Sequence, residues 1–335
     1  MADVLSADWQ WGKVTHPECG IVIVTHNSQA EIGACLDAAM ASGAEVVIVD
    51  NASQDGTLAE IARTGAIGRG ARLIANPVNR GFAAAVNQGF TVLETPYVLL
   101  LNPDAVLQTG IEPLRDACNL PGAAAAGGRL VDSEGNSQVG FMIRRLPTPA
   151  VLVLEALLLN RIWPGNRINR RYRGLELDYS VLLEVEQPAG ALLMVRRTVW
   201  EELGGFDEGF FPLWFEDVDF CRRAIDSGYR LYYSPQVVAK HTGGHSIPQL
   251  GVEMRLFYWY RSLLKYAARH FPPIAFRGVS LAVVTGSIIR GVLESSLYRS
   301  LKPMAAYGNV VRLAGRCLFR GWRGEEELYR PQRKG

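Results

Sequence analysis

Alternation is the feature that most constrains what this chain can become. Ile21 to Thr25 reads IVIVT, a continuous β-branched run of the kind buried on both faces of a sheet. Ser28 to Glu31 has the pattern of a capping box, and Ile32, Cys35, Leu36, Ala39 and Met40 follow at helical spacing. The unit then repeats. Glu45 to Val49 is a second strand ending at Asp50, and Thr57 and Glu60 are placed to cap a second helix. Arg72 to Ala75 is a short strand, Phe82, Ala85, Val86, Gly89 and Phe90 form a helical stripe, and Tyr97 to Leu101 is a fourth strand. Apolar strands alternating with helices predict an α/β domain with a mostly parallel sheet. In such sheets ligands bind beyond the carboxyl ends of the strands. Three strands deliver polar groups there: Thr25-His26-Asn27, Asp50-Asn51 and Asn102-Pro103-Asp104.

The second half is less regular. Pro147 to Trp163 reads as a short apolar helix, Arg161 to Arg173 as an arginine-rich loop, and Gly190 to Val195 as a strand. A helix is predicted from Asp217 to Ala224, closed by Ser227-Gly228, followed by strands at Tyr229 to Tyr233 and Val237 to Lys240. From Met254 the chain turns helical and basic. From Arg255 to the end there are 15 Lys/Arg against 4 Asp/Glu, while the remainder is acidic. This divides the chain into an arm over 1–18, a catalytic body over 19–251 and a basic helical extension over 252–335. The N-terminus lacks the apolar segment of a signal peptide. Five unpaired cysteines point to a reducing compartment. The apolar stretch from Gly278 to Ile289 is too short to span a bilayer.

The chemistry centres on GGFDEGFFPLWFEDVD, from Gly204 to Asp219. Carboxylates against aromatic rings have their pKa pushed up, which suits a general base acting on a hydroxyl near neutral pH. The alternative is an acidic first turn of an ordinary helix. Asn102-Pro103-Asp104 suits a divalent cation bridging phosphates, or a plain turn. His241, in His241-Thr-Gly-Gly-His-Ser246, is a metal or phosphate ligand candidate because the glycines admit close backbone approach. No GxGxxG follows the first strand and no GxxxxGK[ST] occurs, which disfavours dinucleotide and P-loop sites.

Taken in order, IVIVTHNS, VDNASQDGT, NRGFAAAVNQG, LLLNPDA, GGFDEGFFPLWFEDVDFC and HTGGHS resemble glycosyltransferase family 2, the inverting enzymes of GT-A fold. The resemblance covers residues 19 to about 246, and within the family it is closest to bacterial rhamnosyltransferase-type members that build cell-surface polysaccharide. It implies transfer of a sugar, rhamnose as the first choice, from a nucleoside-diphosphate donor to a glycan or polyprenyl-linked acceptor. It also implies a divalent cation, Mg2+ or Mn2+. Asp217 matches the general base, with Glu216 helping to orient the site. Asp50 matches the base- and ribose-binding aspartate. Thr25, Asn27, Asn51, Arg80 and Gly81 lie where strand and loop meet the nucleotide. Asn102 and Asp104 occupy the DxD positions, with Asp104 and His241 as metal ligands. The first DxD position is an amide, which brings no charge. Two alternatives follow: a transferase for another sugar such as galactofuranose, or a nucleotide-binding module without catalysis.

Arg312, Arg316 and Arg320 recur every fourth residue and share a helix face, over Val310, Val311, Ala314, Cys317 and Leu318. A basic amphipathic helix of this kind predicts peripheral contact with an anionic membrane surface, placing the protein on the cytoplasmic face of the cell membrane. The arginines from Arg161 to Arg173 either hold an acceptor's diphosphate or form a solvated basic loop. No nucleic-acid recognition motif is present, so nucleic acid is not an expected partner.

Overall fold

The structure is a computed structural model that describes residues 16–243 and 251–322. Its first half alternates as predicted: β1 (His16–Thr25), α1 (Ile32–Ala41), β2 (Ala44–Asp50), α2 (Thr57–Arg63), β3 (Arg72–Ala75), α3 (Phe82–Val92) and β4 (Tyr97–Leu101). β1 pairs in parallel with β2 and β4, and β2 with β3. The β-branched runs are buried on both faces, as their composition requires. Because β1 begins at His16, the sheet reaches into the stretch expected to be a free arm.

The second half contributes β5 (Ala105–Leu107), α4 (Glu112–Cys118), β6 (Ala123–Val131), β7 (Ile143–Arg144), α5 (Pro149–Ala156), α6 (Leu159–Ile162) and α7 (Arg167–Tyr172). It continues through β8 (Leu183–Val185), β9 (Gln187–Pro188), β10 (Leu192–Arg196), α8 (Arg197–Leu203), α9 (Glu216–Asp226) and β11 (Arg230–His241). The large sheet runs β3-β2-β1-β4-β10-β6-β11-β5, with β8 beside β11. The predicted parallel arrangement runs through β3-β2-β1-β4, and β10 then enters antiparallel between β4 and β6. The consequence is functional: the start of β10 lies at the same edge as the ends of β1, β2 and β4. β6 escaped the sequence reading because it is AAAAGGRLV, with no β-branched residue until its end. Its small residues are needed, since a Cβ on Gly127 would lie 2.5 Å from Pro188 and one on Gly128 2.5 Å from Leu192.

Several local expectations are corrected. Ser28 does not cap α1 through a box with Glu31; its hydroxyl accepts from His26 N–H, while its carbonyl accepts from Ile32 N–H. Thr57 is inside α2 as its first residue and the N-cap is Gly56, while the Asp55 carboxylate, one position further out, accepts from Thr57 N–H at 3.0 Å. The two strands expected around Tyr229 to Lys240 are one strand, β11, with a register irregularity between Ser234 and Val238. The arginine-rich stretch contains a helix, α7, started by the Asn166 side chain accepting from Asn169 N–H. The apolar helix expected over Pro147 to Trp163 is two pieces, α5 and α6, parted by Leu158 with φ of +62°.

Three helices close the chain: α10 (Val252–His270), α11 (Pro273–Tyr298) and α12 (Lys302–Arg320). They are not a detached extension. Their core includes Leu152 and Ala156 of α5 and Phe210, with Phe211, Trp214, Phe215 and Val218 packed against it. α10 grips the loop before α9 with polar groups as well. Arg261 donates to the carbonyl of Phe211, Ser262 to that of Leu213, and Lys265 and Arg269 pair with Asp207. α11, at 26 residues, is longer than the apolar stretch read from sequence, and by length and hydropathy it is able to cross a membrane. In the fold one side of it packs against α5, α10 and α12, and its Gly286 lets the Ala156 carbonyl approach where a Cβ would clash at 2.0 Å.

The strongest tie between helix and body is Asp219. Its side chain is wholly buried and accepts from His270 Nε2 and Arg223 Nε, both at 2.8 Å, with Arg269 at 3.3 Å. Burial pushes its carboxyl up, but the hydrogen bond from His270 and the Arg223 charge outweigh that and hold it below the usual range. Removing one member of a buried ionic cluster strands the others, so Asp219→Ala should cost about 3 kcal/mol in denaturant unfolding. Asp226→Ala, at an exposed pair with Arg222, should cost under about 0.5 kcal/mol. Because the folded carboxyl sits low, Asp219's contribution is complete above the unfolded value of about 3.9 and falls away below it. The gap between wild type and variant should therefore close in acid.

Candidate active site

The ends of β1 and β2 form one hydrogen-bonded cluster. Asp50 is buried, and its carboxylate accepts from the hydroxyls of Thr25 at 2.9 Å and Ser53 at 2.5 Å and from Ser53 N–H at 3.1 Å. Asn51 is also buried. Its carboxamide donates to Asn79 and the Gly81 carbonyl and accepts from Arg80 N–H at 2.9 Å and from Asn76. Thr25 and Asn51 thus spend their polar groups inside the protein, holding the 76–81 loop. Asn27 has φ of +52° and accepts from Gln54 N–H through its side chain at 2.6 Å, while its own N–H donates to Ser53. Arg80 is exposed and free to reach over the edge. Gly81 has φ of +85° with Phe211 against it, and the following N–H, of Phe82, donates to the Pro212 carbonyl at 2.7 Å. The 76–81 loop and the aromatic loop therefore meet at Gly81.

Asp104 and His241 are brought together by the antiparallel pairing of β5 with β11, in which Ala105 faces His241. His241 Nε2 lies 3.5 Å from Asp104 Oδ1. The ring's other nitrogen, Nδ1, is 2.9 Å from Gln138 Oε1, and Gln138 Nε2 donates to the His241 carbonyl at 2.7 Å. The carbonyl fixes which end of the glutamine is the acceptor, so Nδ1 is the donor in that pair and Nε2 faces Asp104. Phe141 stacks on the ring at 5.2 Å. Two lone-pair donors at 3.5 Å is the separation of neighbouring ligands around one cation with bonds of about 2.1 to 2.3 Å. Among the described residues no third His, Cys, Asp or Glu joins them. These residues fit an ion that takes the rest of its shell from a diphosphate and water, but not an all-protein cage. Asn102 anchors its own turn: its N–H donates to the Ala191 carbonyl and its carbonyl accepts from Ala105 N–H, leaving the carboxamide without a protein partner among the described residues.

Ala191 links this region to the acidic helix. Its neighbour Gly190 donates its N–H to Asp217 Oδ2 at 3.1 Å, Gln187 Nε2 stands 3.4 Å from the same oxygen, and Val218 N–H donates to Oδ1 at 2.8 Å. Burial raises the Asp217 carboxyl above its ordinary value; the Gly190 and Val218 N–H groups and the charge of Arg144 offset part of that. Glu216 is different. It is buried, its Oε2 has no hydrogen-bond partner, and burial together with the charges of Asp217 and Asp219 pushes its carboxyl well up. Such a group favours the neutral acid. Trp214 and Phe215 precede the helix with φ of +78° and +72°, a conformation bulky residues adopt only where surrounding contacts enforce it. Here the enforcing contacts come from α10.

Two residues of this edge were not singled out from sequence. Gln138 lies on the turn between β6 and β7, a stretch with no periodic signal. Arg144 follows it in β7, where its guanidinium stands 5.8 Å from the rings of Phe141 and Tyr172. One sequence offers no mark that sets either apart from other loop residues. His245 and Ser246 lie outside the described residues. The cavity of about 460 Å³ bordered by Pro113, Leu120, Val181 and Ser234 includes none of these residues.

Comparison with known proteins gives these features a context. Residues 20–180 match the model of glycosyl transferase family 2. The chain is 29% identical over 289 residues to the N-acetylglucosaminyl-diphospho-decaprenol L-rhamnosyltransferase of Mycobacterium tuberculosis, covering 77% of this chain and 87% of that protein. It is 26% identical over 201 residues to rhamnosyltransferase WbbL of Escherichia coli K12, covering 57% and 69%. Among solved structures, mannosyltransferase PcManGT from Pyrobaculum calidifontis, in complex with GDP-Man and Mn2+, superposes with a TM-score of 0.50 at 18% identity, over 90% of this chain and 81% of that one. At that identity the likeness speaks for the fold. The chain is thus similar to glycosyltransferase family 2 over residues 20–180 and to rhamnosyltransferases over most of its length: a rhamnosyltransferase-like glycosyltransferase built on the GT-A fold.

Proposed function

We propose that the protein moves a sugar, rhamnose as the first candidate, from a nucleoside-diphosphate donor to a hydroxyl of a polyprenyl-diphosphate-linked glycan. The sugar and the lipid-linked acceptor are suggested by the name of the Mycobacterium relative. The observation that carries the reading is the placement of Asp217. Its carboxylate is hydrogen-bonded to Gly190 at the sheet edge where Asp104, His241 and Asn102 gather, linked to Asn102 through Ala191.

The roles follow from this placement. The Asp50 and Asn51 cluster, with Asn27 and Arg80, shapes the nucleotide end. Asp104 and His241 hold a divalent cation, Mg2+ or Mn2+, whose positive charge when bound eases departure of the nucleoside diphosphate. Asp217 takes the proton from the acceptor hydroxyl, and that oxygen attacks the anomeric carbon from the face opposite the leaving group. One displacement inverts configuration. Glu216, buried and without a partner on Oε2, keeps the floor of the site apolar and neutral and makes no direct contribution to proton transfer. Hydrogen bonds from Gly190 and Val218 fix the direction in which Asp217 presents its lone pairs.

Asp217→Asn keeps shape and removes basicity, so kcat should fall by about 10³-fold or more while donor binding by calorimetry stays within about twofold. In wild type, kcat/KM should decline on the acid side from a pH above the ordinary carboxylate range, since burial raises this group and only the ionised form accepts a proton. Retained turnover in the amide variant would remove Asp217 from the role. Glu216→Gln separates the neighbour. A carboxyl whose folded value is raised opposes folding above its unfolded value of about 4.3, so this variant should melt higher than wild type at pH 7, with the difference vanishing near pH 4. Metal use is read by calorimetry with a nucleoside-diphosphate panel, with and without Mn2+. Asp104→Ala should lose the metal dependence, and Gln138→Leu, by freeing the imidazole to take the other tautomer, should weaken Mn2+ about 10- to 100-fold.

A further inference from the structure

α11 keeps only part of itself in the core. Ile274, Leu281, Ile288 and Val292 recur at helical spacing along its outer side, with exposures of 83%, 53%, 51% and 51%. The helix is about 39 Å long, so this is a continuous apolar stripe and not a scatter of single residues. No exposed acid interrupts it: the one carboxylate on α11, Glu294, accepts from Tyr307 of α12. Cations surround it. Arg277, Arg299 and Lys302 are exposed near its ends, and Arg312, Arg316 and Arg320 are exposed on α12.

A second element continues the surface. The last turn of α5 sits on Gly286, and Arg290 of α11 donates to the Ala156 carbonyl. Just beyond that contact, Ile162 and Trp163 are among the most exposed apolar residues, at 77% and 69%. Between Ala156 and Arg173 the chain carries five arginines, all exposed, and no acid. An exposed tryptophan beside basic residues is the composition of a lipid–water interface.

We propose that the outer stripe of α11, continued by Ile162 and Trp163, lies flat in the surface of an anionic bilayer, with the arginines of α7 at headgroup level. This rests on the lipid-linked acceptor proposed above and specifies the surface that meets the lipid. A lipid surface fits better than a second copy of this chain because the rim is cationic throughout, and two such rims facing each other would repel. α11 lies along the surface and does not cross it. Its inner side is held to the body through Arg290 and Glu294, and those polar contacts would be lost in a spanning helix. The placement also explains why the arginine-rich stretch is next to the site. Arg145 N–H donates to the Tyr172 carbonyl of α7 at 2.8 Å, and Arg144, whose charge acts on Asp217, faces the Tyr172 ring. An acceptor diphosphate held at headgroup level would thus arrive beside the base, with its hydrocarbon tail remaining in lipid.

Flotation of the full chain with phosphatidylcholine vesicles, with and without an equal part of phosphatidylglycerol, tests this. Wild type should float with the anionic vesicles, less so in high salt, and a Leu281→Gln/Ile288→Gln/Val292→Gln variant should partition at least about tenfold more weakly. Turnover on a short-chain, water-soluble acceptor should match wild type, which shows the variant is folded and keeps the transferase reading separate. Equal partitioning of variant and wild type would overturn the assignment of this face while leaving membrane contact standing. Absence of any vesicle binding by wild type, with a dimer in solution that the variant abolishes, would overturn it in favour of a contact between copies. Failure of wild type on both soluble and lipid acceptors would instead count against the proposed function.

Discussion

The first turn of α9 depends on a buried charge that Arg223 of the same helix and the cations of α10 together make tolerable. Asp219 has no solvent to stabilise it, and Arg223, Arg269 and His270 take that part. Two residues apart on a helix, Asp217 and Asp219 point in nearly opposite directions. One carboxylate therefore faces the sheet edge while the other locks the same turn to the C-terminal helices. The left-handed pair Trp214-Phe215 is the cost of turning the chain into that position, and the carbonyls of Phe211 and Leu213, tied down by Arg261 and Ser262, keep it there. A helix that looks like an appendage in the sequence is thus part of what aims the Asp217 carboxylate.

The donor side is organised on a different principle. Asp50 and Asn51 are polar groups without exposure, and nearly all of their hydrogen-bonding capacity is used within the protein. Such a network is rigid because each member left unpaired would carry a desolvation cost. Its effect is to hold the loop from Asn76 to Gly81 at a fixed height above the strand ends. A ligand entering this edge meets preformed backbone, and the adaptable part is left to the exposed Arg80.

Much of this was legible in sequence because it rests on patterns with a physical period. IVIVT, EVVIV and YVLLL are strands since nothing else buries β-branched residues on both sides, and the polar residues that end them had to fall on one edge. Asp104, His241 and Asp217 stood out as candidates by their position after such strands or beside aromatics. The rest was hidden for reasons just as physical. β6 is built of alanine and glycine because β9 and β10 press against it, so close packing erased the signature that propensity would leave. The antiparallel entry of β10 is a property of long connections, which no local pattern encodes. Thr57 does not cap α2 because its hydroxyl is taken up by Asp55 and by Ser28 N–H, a partner 29 positions away. Gln138 is defined by a partner 103 positions away.

Asn102 gains meaning from this geometry. An aspartate there would add a second carboxylate close to Asp104 in a partly buried edge, and like charges so placed repel until a cation arrives. With the amide, the edge holds one acid and one imidazole whose orientation Gln138 fixes. In the proposed function, charge for binding a cation would then come from the incoming diphosphate, so ion and donor would be coupled, each supplying what the other lacks.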